Sequence, residues 1–124
     1  MILDARAIVL GYPFVAMRFH RVALCDPQAV EDCCARATAL AAGSERDEPA
    51  AIFFAFAERR RAFPFAWKLM ADIVTTRQAV VNGLRLAATH DELGALCVEV
   101  LHHRMDYPAV RAWFLAHFEA NSTP

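Results

Sequence analysis

The sequence predicts an all-α fold. Three observations carry that prediction: apolar residues recur at helical spacing in segment after segment, several segments open on residues suited to cap a helix, and alanine, the best helix former, is abundant. Sheet content is expected to be negligible. At 124 residues the chain reads as one domain spanning 1–124. A domain of that size buries about two-thirds of the surface its unfolded chain exposes.

Residues 2–10 predict a short first helix, stopped by Gly11 and Pro13. Tyr12 to Phe19 reads either way, being apolar but punctuated by Pro13 and Arg18. A second helix starts clearly: Asp26 is a good N-cap, Pro27 suits the first helical position, and Glu31 and Asp32 complement the positive end of the dipole. Val30, Cys33, Cys34, Ala37 and Leu40 then repeat at helical spacing until about Ala42. The polar stretch Gly43 to Pro49 predicts a loop, and Pro49 opens a helix through Arg60. That helix carries Ile52, Phe53, Phe54 and Phe56, apolar almost all round, so it is expected at the centre of the bundle.

Pro64 breaks the chain before a helix from about Ala66 to Val81, which ends at Asn82-Gly83. Leu84 to Ala87 alternates and predicts a short extended piece. Thr89 and Glu92 have capping-box spacing for the next helix, whose stripe is Leu93, Leu96, Cys97, Val100 and Leu101, with His102, His103 and Arg104 in its last turn. A final helix starts near Pro108, capped by Asp106 or Tyr107, with Val110, Trp113, Phe114 and Phe118 facing inward.

Composition narrows the function. Thirteen basic residues against fourteen acidic give a formal charge of −1, which leaves no electrostatic footprint for nucleic acid. No uncharged apolar run approaches the ~20 residues of a membrane span, and Asp4 and Arg6 interrupt the apolar start too early for a signal peptide. Cys25, Cys33, Cys34 and Cys97 show no metal-ligand spacing, and they read as buried reduced thiols of a cytoplasmic protein. No metal and no cofactor is expected. The histidines, at 20, 90, 102, 103 and 117, pair with nothing at ligand spacing, and no acid–base pair can be picked out. Hydrophobic residues make up 57% of the chain, which points to a large core, an apolar pocket or a surface that a partner covers.

Asn82-Gly83-Leu84-Arg85-Leu86, followed by Asp91-Glu92-Leu93 and a helix ending in an aromatic tail, resembles the C-terminal half of Doc toxins of the Fic/Doc family. Upstream, Cys25-Asp26-Pro27 leading into Cys33-Cys34 resembles the family's S-D-P segment, and the polar loop at 43–49 falls where the family places its flap. The resemblance runs from about residue 8 to residue 118 and implies a small helical bundle with a polar flap loop. It puts the family's signature, of the type H-x-F-x-D/E-x-N-K/G-R, on residues 61–71. Phe63, Ala66, Lys68 and Ala71 match a Doc-like pattern. Arg61 stands where the family has its catalytic base, and a guanidinium, always protonated, accepts no proton. Phe65 replaces the acidic metal ligand, Trp67 the asparagine at the helix start, and Leu69 the arginine that holds phosphate. General-base catalysis, metal neutralisation and phosphate clamping are lost together, so neither adenylylation nor phosphorylation by this route is expected.

What remains is a helix start with Lys68 in its first turn and Arg61 just before it. Lys68 reads equally as a weak anion contact or as a solvated side chain, and Arg61 equally as part of that edge or as the solvated end of a helix. Phe63 reads as core. Phe65 and Trp67 read equally as core or as walls, with Phe63 and Leu69, of an aromatic-lined pocket with a cationic edge.

Two functions follow. In the first, a protein-binding pseudoenzyme uses its apolar surface, the final helix with Trp113, Phe114 and Phe118 included, to hold an antitoxin-like segment or a second copy of itself. In the second, a repurposed enzyme of cyclase, isomerase or lyase type acts on a small apolar molecule in that pocket, with Arg61 or Lys68 stabilising developing negative charge.

Overall fold

The computed structural model describes residues 1–120. Six α-helices follow one another: α1 (Ala5–Met17), α2 (Pro27–Ala41), α3 (Glu48–Glu58), α4 (Trp67–Val81), α5 (His90–Leu101) and α6 (Tyr107–His117), with a 3-10 turn at Arg60–Ala62 between α3 and α4. The fold is all-α. Among the described residues no strand forms beyond one isolated antiparallel bridge, Leu86 to Phe118, and no helix is long and apolar enough to cross a membrane.

α3 lies at the centre, against α2, α4, α5 and α6. Every residue from Glu48 to Ala57 is buried, as an all-round apolar helix requires. Alanines at 50, 51, 55 and 57 let neighbours approach, while Phe53 packs on Phe114 and Phe56 stacks on Phe63. The other helices bury one stripe each and are capped as their sequences direct. Asp26 accepts from the N–H groups of Gln28 and Ala29, Thr89 and Glu92 close a full capping box, and Asp106 accepts from Ala109 N–H.

The extended piece expected at 84–87 is present and pairs with the end of α6. Ala87 N–H donates to the His117 carbonyl and Glu119 N–H to that of Arg85, both at 2.8 Å. Asn82 does more than end α4. Its amide donates to the Glu45 carbonyl and the Glu48 carboxylate, and accepts from Gln78, whose own side chain holds the backbone of Met1 and Leu3. The polar loop before α3 is tied down too: Asp47 pairs with Arg111 at 2.9 Å, and Arg46 sits over the Phe118 ring.

The first helix corrects the sequence reading. It does not stop at Gly11 and Pro13 but runs on to Met17, with Pro13 inside it. A proline in a helix interior costs about 3 kcal/mol and displaces the carbonyl four residues back, here that of Val9. The Cys25 thiol lies 3.9 Å from that carbonyl and donates to it. Burial of Ile8, Tyr12 and Ala16 on one stripe that spans the proline outweighs the local penalty. α3 also ends at Glu58, two residues earlier than expected, and the chain tightens into the 3-10 turn.

Candidate functional site

Residues 60–66 form a turn leading into α4, whose first residues are 67–69. Ala66, at φ 57°, is in the left-handed region and offers α4 no side-chain cap. The turn is pinned from α1: the Tyr12 hydroxyl donates to the Phe65 carbonyl and accepts from the Phe65 N–H, both at 2.8 Å. Tyr12 itself is fully buried.

The candidate side chains separate here. Phe63 is core, stacked between Phe56 and Tyr12. Trp67 is 7% exposed, and its indole N–H donates to the Phe56 carbonyl at 2.9 Å. That carbonyl, near the end of α3, also accepts from the Arg59 N–H at 3.2 Å, so the indole is its second donor, reached from another helix. Phe65 is half-buried and turns to Phe19 and the Arg21 guanidinium instead. Phe63, Trp67, Lys68 and Leu69 border an open cleft of about 240 Å³ together with Arg60, whose guanidinium lies over the Trp67 ring; neither Phe65 nor Arg61 lines it. Arg61 is exposed on the 3-10 turn, and Lys68 is exposed on the first turn of α4. The arrangement brings four of the six named residues to one shallow depression rather than to an enclosed aromatic chamber.

The final helix offers less free surface than its composition suggests. Phe114 and Phe118 are buried and Trp113 is half-buried, stacked on His117 at 3.7 Å. Exposed apolar side chains gather elsewhere. On α1, Leu10, Phe14 and Met17 are 61, 70 and 62% exposed, and Phe19, Val22 and Leu24 in the following segment are exposed as well.

Beside this face lies a groove of about 480 Å³ between α1 and α4. The helices run antiparallel: Leu3 meets Gln78 near the end of α4, and Tyr12 meets Phe65 before its start. Ala7, Gly11 and Val15 line the groove from α1, and Ile73, Val74 and Val81 from α4.

A second feature escaped the sequence reading. Asp72 on α4, 8% exposed at its side chain, accepts from the Thr76 hydroxyl and contacts Nδ1 of His90, the first residue of α5. The imidazole is 84% exposed. Hydrogen bonding to Asp72, with the carboxylate's charge second, raises the His90 pKa above its ordinary value. Both residues border a cleft of about 330 Å³ that Lys68 and Leu69 also line. Eighteen positions separate Asp72 from His90, a distance no motif marks. The one available signal was an acidic residue within the otherwise apolar run of α4.

All four cysteines are free and buried. Burial pushes the Cys33 and Cys97 thiols up to about 12, so neither is a nucleophile near neutral pH. Among the described residues no group of three or more His, Cys, Asp or Glu side chains is placed to hold a metal ion. Neither a scan of protein-family models nor a search of curated proteins returns a match to this chain.

Proposed function

We propose that this chain is a degenerate Fic/Doc-fold protein that has lost nucleotide chemistry and works by binding another protein, and that the α1–α4 groove is where it does so. The observation that carries the reading is the exposed apolar face of α1 beside that groove. Six large apolar side chains between Leu10 and Leu24 are exposed, more than scattered surface residues account for.

Gly11 supports it independently. A glycine in a helix interior costs roughly 0.5–1 kcal/mol against alanine, yet a Cβ built at Gly11 would meet nothing within 4 Å. Nothing among the described residues calls for glycine there. A second helix lying in the groove would, because backbones approach closely only over small residues.

Charge selects the partner. Arg77 and Asp4 are the charged residues that line the groove, and Arg77 has no carboxylate partner among the described residues. An amphipathic helix with acidic flanks gives Arg77 the carboxylate partner that the chain does not supply. The buried Trp67, its N–H satisfied, favours this reading over catalysis in an aromatic pocket at 61–69.

The test is calorimetric titration with two synthetic helices that share leucines at i, i+3, i+4 and i+7. One is flanked by glutamates and the other by lysines. The acidic helix binds, the basic one does not, and Phe14→Asp abolishes binding. Equal binding of both, or of neither, overturns the proposal.

A further inference from the structure

A different face of α4 carries a chemistry that the groove does not use. Asp72 is nearly buried and holds Nδ1 of His90, while Nε2 has no partner among the described residues. A carboxylate that fixes one imidazole nitrogen leaves the other free to take a proton, and this is the orienting half of general-base catalysis. The Thr76 hydroxyl occupies the second carboxylate oxygen and so fixes Asp72 itself. Lys68, one turn earlier on α4, lines the same cleft and brings a cation to it. Gly94 and Ala95 line it from α5.

We propose that His90, oriented by Asp72, is the general base of a hydrolytic site for small esters that carry a carboxylate, with Lys68 binding the carboxylate. Nε2 of His90 accepts a proton from water as the water oxygen bonds to the ester carbonyl carbon. The tetrahedral intermediate then breaks its bond to the leaving oxygen, and the proton on His90 passes to that oxygen or to solvent. The products are an acid and an alcohol, and no oxidant, reductant or further reactant is needed.

The pH dependence has a defined sign. His90 is a base only when neutral, so the rate rises with pH through its raised pKa. The charged groups around it are Asp72 and Lys68 from α4, Asp91 from α5, and Arg85 and Glu119 from the neighbouring cleft that His90 also borders.

The test uses the whole chain with 4-nitrophenyl hemisuccinate, and with 4-nitrophenyl acetate as the uncharged counterpart. The hemisuccinate reaction saturates and runs about 100-fold or more faster than with an equal concentration of free imidazole. His90→Gln, at an exposed position, removes that advantage while His103→Gln retains it. Lys68→Gln raises KM for the hemisuccinate and narrows its advantage over the acetate. Asp72→Asn lowers the midpoint of the pH profile towards that of ordinary imidazole. Should Asp72→Asn fail to fold, the exposed substitutions still decide. A rate equal to that of imidazole, an unsaturable reaction, or full activity in His90→Gln overturns the proposal. Phe14→Asp is expected to leave this activity intact, which separates its failure from that of the groove.

Discussion

The two ends of α4 treat apolar side chains in opposite ways. At its start, Phe63 and Trp67 are turned inward, and the one polar atom of the indole is satisfied by the Phe56 carbonyl. Further along, Ile73 and Val81 are exposed and face a groove that Gly11 leaves open. Aromatic richness is therefore a poor guide to a binding site here. The informative quantities are whether a ring's polar handle has found a partner and whether a neighbouring helix covers the stripe.

Substitutions can break this contrast, and the largest effect is expected at the buried end. Trp67→Ala removes a large buried ring and one of the two donors to the Phe56 carbonyl, with an expected loss of about 3–5 kcal/mol in denaturant unfolding. A loss under about 1 kcal/mol would show that Trp67 lines open space instead. Tyr12→Phe deletes the hydroxyl that serves both backbone groups of Phe65 and should cost about 1–3 kcal/mol by the same measurement.

At the open end the signs differ. Gly11→Ala should stabilise the isolated chain by about 0.5–1 kcal/mol, since its Cβ has free space, while weakening binding of an acidic helix. Phe14→Asp should leave unfolding within about 0.5 kcal/mol of the parent, as expected for a surface position. Destabilisation by either substitution would mean that the face is covered in the isolated chain.

The smallest expected effect concerns pH. Asp72 raises the His90 pKa in the folded chain, so the pair's contribution is fully present below the unfolded value of about 6.5 and is lost as pH rises through the higher folded value. The difference in thermal midpoint between the parent and His90→Gln should therefore be seen in mild acid and fade as the medium turns alkaline. A difference that grows with pH would reverse the assignment.

Much of the fold was legible in the sequence because its signals were local. The Asp26-Pro27 start of α2, the Thr89–Glu92 box of α5 and the all-round apolar run of α3 each specify their element within a few residues. α1 was misread because its stability is not local. Pro13 is tolerated through the burial of Tyr12 and the Cys25 thiol at the Val9 carbonyl, contacts that only the folded chain assembles. The region around 61–69 was located correctly as the turn into α4, but not which rings would be covered, because that depends on α1 and α3 reaching the turn from elsewhere in the chain. Asp72 and His90 lie on different helices and share no periodicity, so their meeting had no linear trace.

On the proposed function, a partner helix binds in the groove beside α1 and not at the start of α4. Amide hydrogen exchange, measured with and without a saturating acid-flanked amphipathic helix, tests it most directly. The expected result is slowed exchange across residues 3–15 and 70–81 and no change across 61–69. Slowed exchange confined to 61–69, or produced there by ATP and Mg²⁺ at concentrations below about 1 mM, would contradict it.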